Sequence, residues 1–515
     1  MQTVPEYELK FEIEPRQVTR LLHAPWLRDI IAGKPSKRHL RAVYYDTPNG
    51  DLRRQAVSFR VRRSGRQHIQ CVKSMPGEPH KCVARDEFEI PIPDALPHPE
   101  MIPDEHLPFK RALCEQLQPV FETDIQRTIR ILRPDEQTEL ELAVDKGRVC
   151  CEEREDSFCE VEVELRRGCP TALFDVGRRI VREVPARLGV LFKADRGYQL
   201  SAPSEEPWVK SAGVILSEDM TAEEALITLF LAVLRQVRLN EEYAIQTGAP
   251  EAVHQLRVGL RRLRSVLQVY KKVLPERDYR RFNRGLKWIT DRGGAVRDWD
   301  VFMDQRLGPV QTRFHDMDSL QTLREHAESQ RSRAQASLTR ALRSTRYARL
   351  LIDVGEWIHE RQWREQPVTE DSAALFSPVR EFASARLEER YHKLCKKGAH
   401  FAELSEHKRH RMRIALKKLR YASEFFGSLY KKKDVERFVK RLKALQETLG
   451  SLNDIANLPA MSEALLGKPS PNQDKEALSY ASGLLAGWHS CEVNRLVAEA
   501  GRQWKKLEKT PGFWN

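Results

Sequence analysis

The chain has 515 residues, 41% of them hydrophobic and 31% charged, enough for two or three domains with real cores. Lys and Arg outnumber Asp and Glu by 87 to 74, and the net charge of +13 points to an anionic partner: nucleic acid, polyphosphate or an anionic membrane surface. The longest apolar run, Ala225 to Leu234, is interrupted by Thr228 and is too short to span a bilayer as a helix. The N-terminus lacks a basic-then-apolar leader pattern. The nine cysteines are scattered, with only Cys150 and Cys151 adjacent and no zinc-site spacing, so they read as reduced thiols of a cytoplasmic protein.

The first ten residues contain Glu6-Tyr7-Glu8-Leu9-Lys10. On a strand, alternate side chains share a face, so Glu6, Glu8 and Lys10 project together. An isolated E-x-E-x-K is more often a solvated edge than a site, but the pattern continues. Period-two alternation recurs at Tyr7 to Ile13, Ser58 to Arg63, Ile69 to Lys73, Asp86 to Ile90, Ile125 to Leu132, Thr138 to Val144 and Phe158 to Leu165. Turn signals such as Pro48-Asn49-Gly50 and Lys146-Gly147 separate many of them. Each segment pairs an apolar face with a charged one, and the charged faces carry both signs: Arg60 and Arg62, Glu87 and Glu89, Glu139 and Glu141, and Glu160, Glu162 and Glu164. A single row is explained by a wet outer face. Many rows in one small domain fit a closed antiparallel barrel with a charged interior.

Residues 203–217 break the alternation and read as a linker. Beyond it the period becomes helical, over 222–245, 251–274, 277–291, 318–345, 371–396, 405–430, 433–450 and 473–508. Two of these segments are copies. VHQLRVGLRRLRSVLQVY from Val253 aligns with RHRMRIALKKLRYASEFF from Arg409 at an offset of 156, and Gly294 and Asp298 align with Gly450 and Asp454 at the same offset. This indicates a duplicated helical unit. His254, Arg257, Arg261 and Arg264 fall on one helix face, as do His410, Arg413, Lys417 and Arg420. Few carboxylates interrupt either stripe, whereas a solvated face usually mixes signs. Two such stripes around a shared groove suit a long polyanion, with arginine forks on phosphate oxygens. No aromatic residues interleave with them, which disfavours single-stranded nucleic acid as partner.

If the N-terminal rows line a tunnel, Lys10, Arg41, Arg60, Arg62, Lys73, Arg127, Lys193 and Arg196 supply charge for an extended anion such as triphosphate. Glu6, Glu8, Asp145, Glu160, Glu162 and Glu164 supply oxygen ligands for Mg²⁺ or Mn²⁺. Phosphoryl transfer needs positioning and charge neutralisation rather than covalent catalysis. No glycine-rich phosphate loop, Ser/His/Asp set or H-E-x-x-H motif offers another chemistry.

These residues carry a resemblance. Residues 1–202 resemble the CYTH, or triphosphate tunnel metalloenzyme, family. The motifs run in order: Glu6-x-Glu8-x-Lys10, Tyr44-Tyr45-Asp46-Thr47, Phe59-Arg60-Val61-Arg62-Arg63, Val72-Lys73, Arg85-x-Glu87-x-Glu89, Arg127, Glu141-x-x-x-Asp145-x-Gly147, Glu160-x-Glu162-x-Glu164 and Lys193-x-x-Arg196-Gly197-Tyr198. Residues 218–505 resemble the CHAD domain, a duplicated helical module associated with polyphosphate. The resemblance implies an α+β multidomain chain: a closed eight-stranded antiparallel β tunnel with flanking helices, then an all-α duplicated helical bundle. It implies a metal-dependent inorganic triphosphatase that cleaves PPPi to PPi and Pi, with inorganic triphosphate and polyphosphate as partners. Glu6 and Glu8 would be metal ligands, with Lys10 on the phosphate. Arg41, Arg60, Arg62, Lys73, Arg127, Lys193 and Arg196 would grip the substrate, and Asp145, Glu160, Glu162 and Glu164 would complete the metal site and orient water. A class IV-like adenylate cyclase, a thiamine triphosphatase and a non-catalytic polyphosphate-binding adaptor are the alternatives. Asn453 stands where the first helical copy has Arg297, which leaves the equivalence of the two copies open.

Overall fold

A computed structural model describes residues 7–74, 86–202, 208–466 and 475–514. Contacts divide the chain into two compact units: Met1–Pro207 with Leu342–Gln362, and Trp208–Ala341 with Trp363–Asn515.

The first unit is built on one antiparallel sheet of nine strands: β1 (Tyr7–Ile13), β2 (Ile31–Asp46), β3 (Val57–Ser64), β4 (Gln67–Ser74), β5 (Asp86–Ile92), β6 (Gln118–Leu132), β7 (Glu139–Cys151), β8 (Arg154–Arg167) and β9 (Ala186–Leu188). Their order is β5-β4-β3-β2-β6-β7-β8-β1-β9. The closed eight-stranded tunnel expected from the sequence is therefore corrected to an open nine-stranded sheet. The short β9 pairs with Phe11–Ile13 and takes the edge of β1 that closure would need, while β5 pairs with β4 alone among the described residues.

Alternation sorts the two faces of this sheet. Leu9 and Phe11 of β1, Leu142 and Val144 of β7, and Val161 and Val163 of β8 pack against Leu173, Phe174 and Ile180 of the Pro170–Glu183 helix. Each such burial contributes about 1.5–3 kcal/mol. The intervening residues of the same strands, Glu8, Lys10, Glu141, Glu162 and Glu164, turn to the opposite face. A second core, with Tyr45, Phe59, Val61 and Val72, backs β2 to β5.

A helix from far along the chain completes this unit. Thr345–His359 starts afresh after Ser344, whose side chain accepts from the Tyr347 N–H as an N-cap. Its Ala348 and Ile352 join the core against the Pro170–Glu183 helix. From sequence these residues are expected within the 218–505 helical domain, with no helix of their own; the structure instead packs them on the first unit.

The second unit is helical. Its longer elements include Ala222–Gln246, Pro250–Val269, Glu276–Val301, Val379–Gly398, Glu406–Phe426, Lys432–Ala456 and Lys475–Glu508. Leu256, Leu260, Leu263 and Leu267 of one copy, and Met412, Leu416 and Leu419 of the other, are fully buried, as their spacing predicts. The helix expected from residue 371 begins in earnest at Val379, where Pro378 is the N-cap. No helix among the described residues is long and apolar enough to cross a membrane. The described cysteines are all free thiols.

Candidate active site

The concave face of the sheet encloses a cavity of about 450 Å³. Lining residues come from every strand but β9, so the open sheet curls far enough for β1 and β5 to share one space. One wall carries both signs of charge. Arg60 and Arg62 of β3 and Lys73 of β4 face Glu87 and Glu89 of β5, with Arg62 Nη2 donating to Glu89 Oε1 at 3.0 Å and Lys73 Nζ at 2.6 Å from Glu87 Oε2. Arg60 also donates to the Tyr44 hydroxyl at 3.2 Å. Burial opposes ionisation of Glu87, yet Lys73 and Arg60 pull its carboxyl down to about 2.

The other wall is acidic. Glu8, Glu141, Glu162 and Glu164 line it together with Lys10, Arg127 and Lys193. Arg127 grips Asp145 with two hydrogen bonds, Nε to Oδ1 at 2.8 Å and Nη2 to Oδ2 at 2.7 Å, and donates to Glu162 Oε2 at 2.6 Å. Lys193, at the start of the Lys193–Ser201 helix, donates to Glu162 Oε1 at 2.6 Å. Lys10 lies 2.8 Å from Glu160 Oε2 and donates to the Leu191 carbonyl at 2.9 Å. Burial would raise the Glu162 carboxyl, but Lys193, Arg127 and Lys10 hold it well below the usual carboxylate range. Conversely, burial would lower Lys193, and Glu162, Asp145 and Glu160 lift it well above an ordinary lysine.

Of the expected site residues, Glu6 lies outside the described residues. Glu8, Lys10, Arg60, Arg62, Lys73, Arg127, Glu162, Glu164 and Lys193 all line the cavity. Asp145 and Glu160 are fully buried and meet it only through the cations they hold. Arg196 is drawn off to Glu12 at 2.7 Å and Asp156 at 3.2 Å, with its Nε 3.4 Å from Glu160. Arg41, expected among the substrate ligands, is not brought to the cavity. It alternates with Leu40 and Ala42, which line the cavity, and sits exposed beside Asp124 at 3.5 Å. Arg38 and Arg166 line the cavity unforeseen. Arg166 continues the period-two row Glu160, Glu162, Glu164, a legible signal, and pairs with Glu164 at 2.8 Å and Glu141 at 2.9 Å.

In the second unit, the two basic stripes converge. Arg257 and Arg261 of Pro250–Val269, and Arg413 and Lys417 of Glu406–Phe426, lie close enough that burial, followed by the three arginines, pushes the Lys417 ammonium down to about 6. The duplication is visible at atomic level. A Cβ on Gly294 would stand 3.8 Å from the Arg257 guanidinium, and one on Gly450 would stand 3.9 Å from that of Arg413. The buried Nε of both arginines lacks a hydrogen-bond partner. Burial, then Arg297, lowers His254, whereas His410 bonds Asn453 Oδ1 at 2.6 Å. Arg264 and Arg420 are engaged elsewhere, with Asn283 at 3.4 Å and with Glu424 at 2.6 Å respectively.

Residues 4–198 match the CYTH domain, and residues 228–461 match the CHAD domain. An inorganic triphosphatase of Haemophilus influenzae is 27% identical over 197 residues, 38% of this chain. The chain spans 55% of that relative's length. A Mycobacterium tuberculosis protein of uncharacterized function is 27% identical over 382 residues, 68% of this chain and 69% of its own. The crystal structure of a CHAD domain from Ricinus communis superposes with a TM-score of 0.49 at 27% identity, covering 57% of this chain and 96% of that one. The family models thus place a CYTH domain at residues 4–198 and a CHAD domain at residues 228–461.

Proposed function

We propose that the cavity of the first unit hydrolyses inorganic triphosphate to pyrophosphate and phosphate with Mg²⁺ or Mn²⁺, and that the basic face of the second unit binds polyphosphate. One observation carries the reading: a single cavity is lined by Arg60, Arg62 and Lys73 on one side and by Glu8, Glu162 and Glu164 on the other. The first set matches the charge of an oligophosphate chain and the second is a bank of hard oxygen donors.

The residues present fit a divalent cation. The donors are all carboxylates, and both oxygens of the fully buried Glu160 lack a hydrogen bond although ammonium groups stand at ion-pair distance. Glu8, Glu162 and Glu164 would hold the metal, with the fully buried Asp145 and Glu160 behind them and Glu6 of the same motif completing the set. When bound, the metal neutralises phosphate charge and lowers the pKa of a coordinated water. The chain itself does the positioning. Arg60, Arg62 and Lys73 hold the distal phosphoryl groups, Lys10 and Arg127 fix the carboxylates that orient the water, and Tyr44 fixes the Arg60 fork. Identity to the Haemophilus triphosphatase supports the choice of substrate.

The test is a substrate panel. Purified protein is given PPPi, thiamine triphosphate and ATP with Mg²⁺ or Mn²⁺, and phosphate, pyrophosphate and cyclic AMP are quantified. Phosphate release fastest from PPPi supports the reading. Cyclic AMP from ATP replaces it with a cyclase, and silence on all three leaves an anion-binding module.

A further inference from the structure

One cation of the cavity stands apart from the rest. Every other lysine and arginine that lines it has a carboxylate at ion-pair distance, from Lys10 at 2.8 Å from Glu160 to Arg166 at 2.8 Å from Glu164. The Arg38 side chain has no carboxylate or hydrogen-bond partner among the described residues. Its register makes this costly. Arg38 of β2 lies directly opposite Arg127 of β6, and both line the cavity. Like charges in opposed positions of neighbouring strands repel. Arg127 is compensated on its far side by Asp145 at 2.7 Å and Glu162 at 2.6 Å, whereas Arg38 is left as uncompensated charge on the concave face. Arg41 of the same strand, on the outer face, has Asp124 beside it. An anion in the cavity supplies Arg38 with the partner that the chain does not.

The place of Arg38 along β2 bears on which part of an anion it meets. Tyr44 and Ala42 lie opposite Arg60 and Arg62 of β3, and Leu40 is the last cavity-lining residue of β2 that pairs with β3. Arg38 follows on the same parity, on the arm of β2 that reaches past the β3–β4 hairpin and pairs with β6. Arg60 and Arg62 are two residues apart, about 7 Å along the strand, whereas Ala42 and Arg38 are four apart, about 13 Å. Leu40 and Ile125, opposite one another, fill the level between without charge. We infer that Arg38 holds the fourth phosphoryl group of a linear oligophosphate, so that the cavity takes tetraphosphate as well as triphosphate. A triphosphate seated on Lys73, Arg60 and Arg62 ends short of Arg38, and one further unit reaches it. The inference rests on the proposed reading of the cavity as an oligophosphate site and adds to it the length of chain that the site selects.

Initial rates with PPPi and with inorganic tetraphosphate, both with Mg²⁺, test it on the native full chain, Arg38→Gln and Arg41→Gln. Arg41→Gln removes the same charge from the outer face of the same strand and so controls for net charge. Arg38→Gln is expected to raise KM for tetraphosphate about tenfold, the size of one charge-assisted contact, and to leave KM for PPPi within about twofold. Equal rises for both substrates, which mark a general attraction of anions, overturn the inference. So does an unchanged KM for tetraphosphate, or the same rise in Arg41→Gln. Calorimetric titration of triphosphate and tetraphosphate in excess chelator reads the same contrast without turnover. Tighter binding of tetraphosphate that Arg38→Gln levels, with no hydrolysis of PPPi, would keep the contact and remove the triphosphatase. Hydrolysis of PPPi with equal binding of the two anions would do the reverse.

Discussion

Arg178 donates Nη1 to Glu356 Oε2 at 2.8 Å and Nη2 to Glu356 Oε1 at 3.0 Å, a two-pronged pair between residues 178 positions apart. It ties the Thr345–His359 helix to the Pro170–Glu183 helix beside the buried Ile352. Burying a carboxylate is tolerable only with its partner in place. Arg178→Ala should therefore lower the stability of the first unit by about 2 kcal/mol, and Ile352→Ala by about 2–5 kcal/mol, read by urea unfolding. A segment 1–207 made alone should be the least stable of all, because it lacks the helix that covers its core.

Gly197 bears on the position of Lys193. A Cβ there would stand 2.1 Å from the Phe121 ring, so the Lys193–Ser201 helix reaches its place only because residue 197 has no side chain. Gly197→Ala should destabilise the unit by about 1–3 kcal/mol and lower PPPi turnover by displacing Lys193. Phe121→Leu in the same chain should restore much of both. Thermal melts and steady-state rates on the single and double variants check this.

Arg62 sits on the same wall as the Tyr44-bound Arg60, two residues away, with its Nη2 donating to both oxygens of Glu89. An anion contact made equally in ground and transition states affects KM rather than kcat. Arg62→Ala should raise KM for PPPi about tenfold, equivalent to about 1.4 kcal/mol, with kcat nearly preserved. A fall in kcat with KM unchanged would place Arg62 in the chemistry instead.

Alternation exposed most of the cavity at sequence level, because a charged row opposite an apolar row is the mark of a sheet with a polar concave face. Glu8, Lys10, Arg60, Arg62, Glu162 and Glu164 were legible for this reason. Arg41 was misplaced because β2 hides its own alternation: its register shifts between Ala32 and Ser36, where Gly33 has a positive φ of 77° and Pro35 interrupts the run. Without β2 there was no parity to set Arg38 inside and Arg41 outside. The Thr345–His359 helix could not be assigned to the first unit, since its amphipathic face shows that it packs and not against what. Sheet closure failed for a similar reason: β9 spans only Ala186–Leu188, too short to show any period.

Lys417 gives a pH dependence to the second unit. Burial and its arginine neighbours lower its ammonium from the usual 10.5 to about 6, so it is neutral in the free protein above that pH. Between these values the unfolded chain binds the extra proton, so this group's contribution to stability rises with pH through the window. A bound polyanion favours the ammonium and reverses the sign for binding. Polyphosphate affinity should increase as pH falls from 8 towards 6, with about one proton taken up per groove. Calorimetry in buffers of different ionisation enthalpy measures that uptake. Lys417→Met should abolish it, and Arg257→Ala with Arg413→Ala should weaken binding at every pH while leaving PPPi hydrolysis nearly intact.

Metal-dependent hydrolysis of PPPi is the role proposed for the acidic wall. The most direct measurement is phosphate release from PPPi by the full chain, with and without Mg²⁺ or Mn²⁺, beside a Glu8→Gln/Glu164→Gln variant. Release should require the metal and fall at least about a hundredfold in the variant, a loss of about 2.7 kcal/mol or more in transition-state stabilisation. Release that persists in excess chelator, or that the variant retains at the native rate, would contradict it.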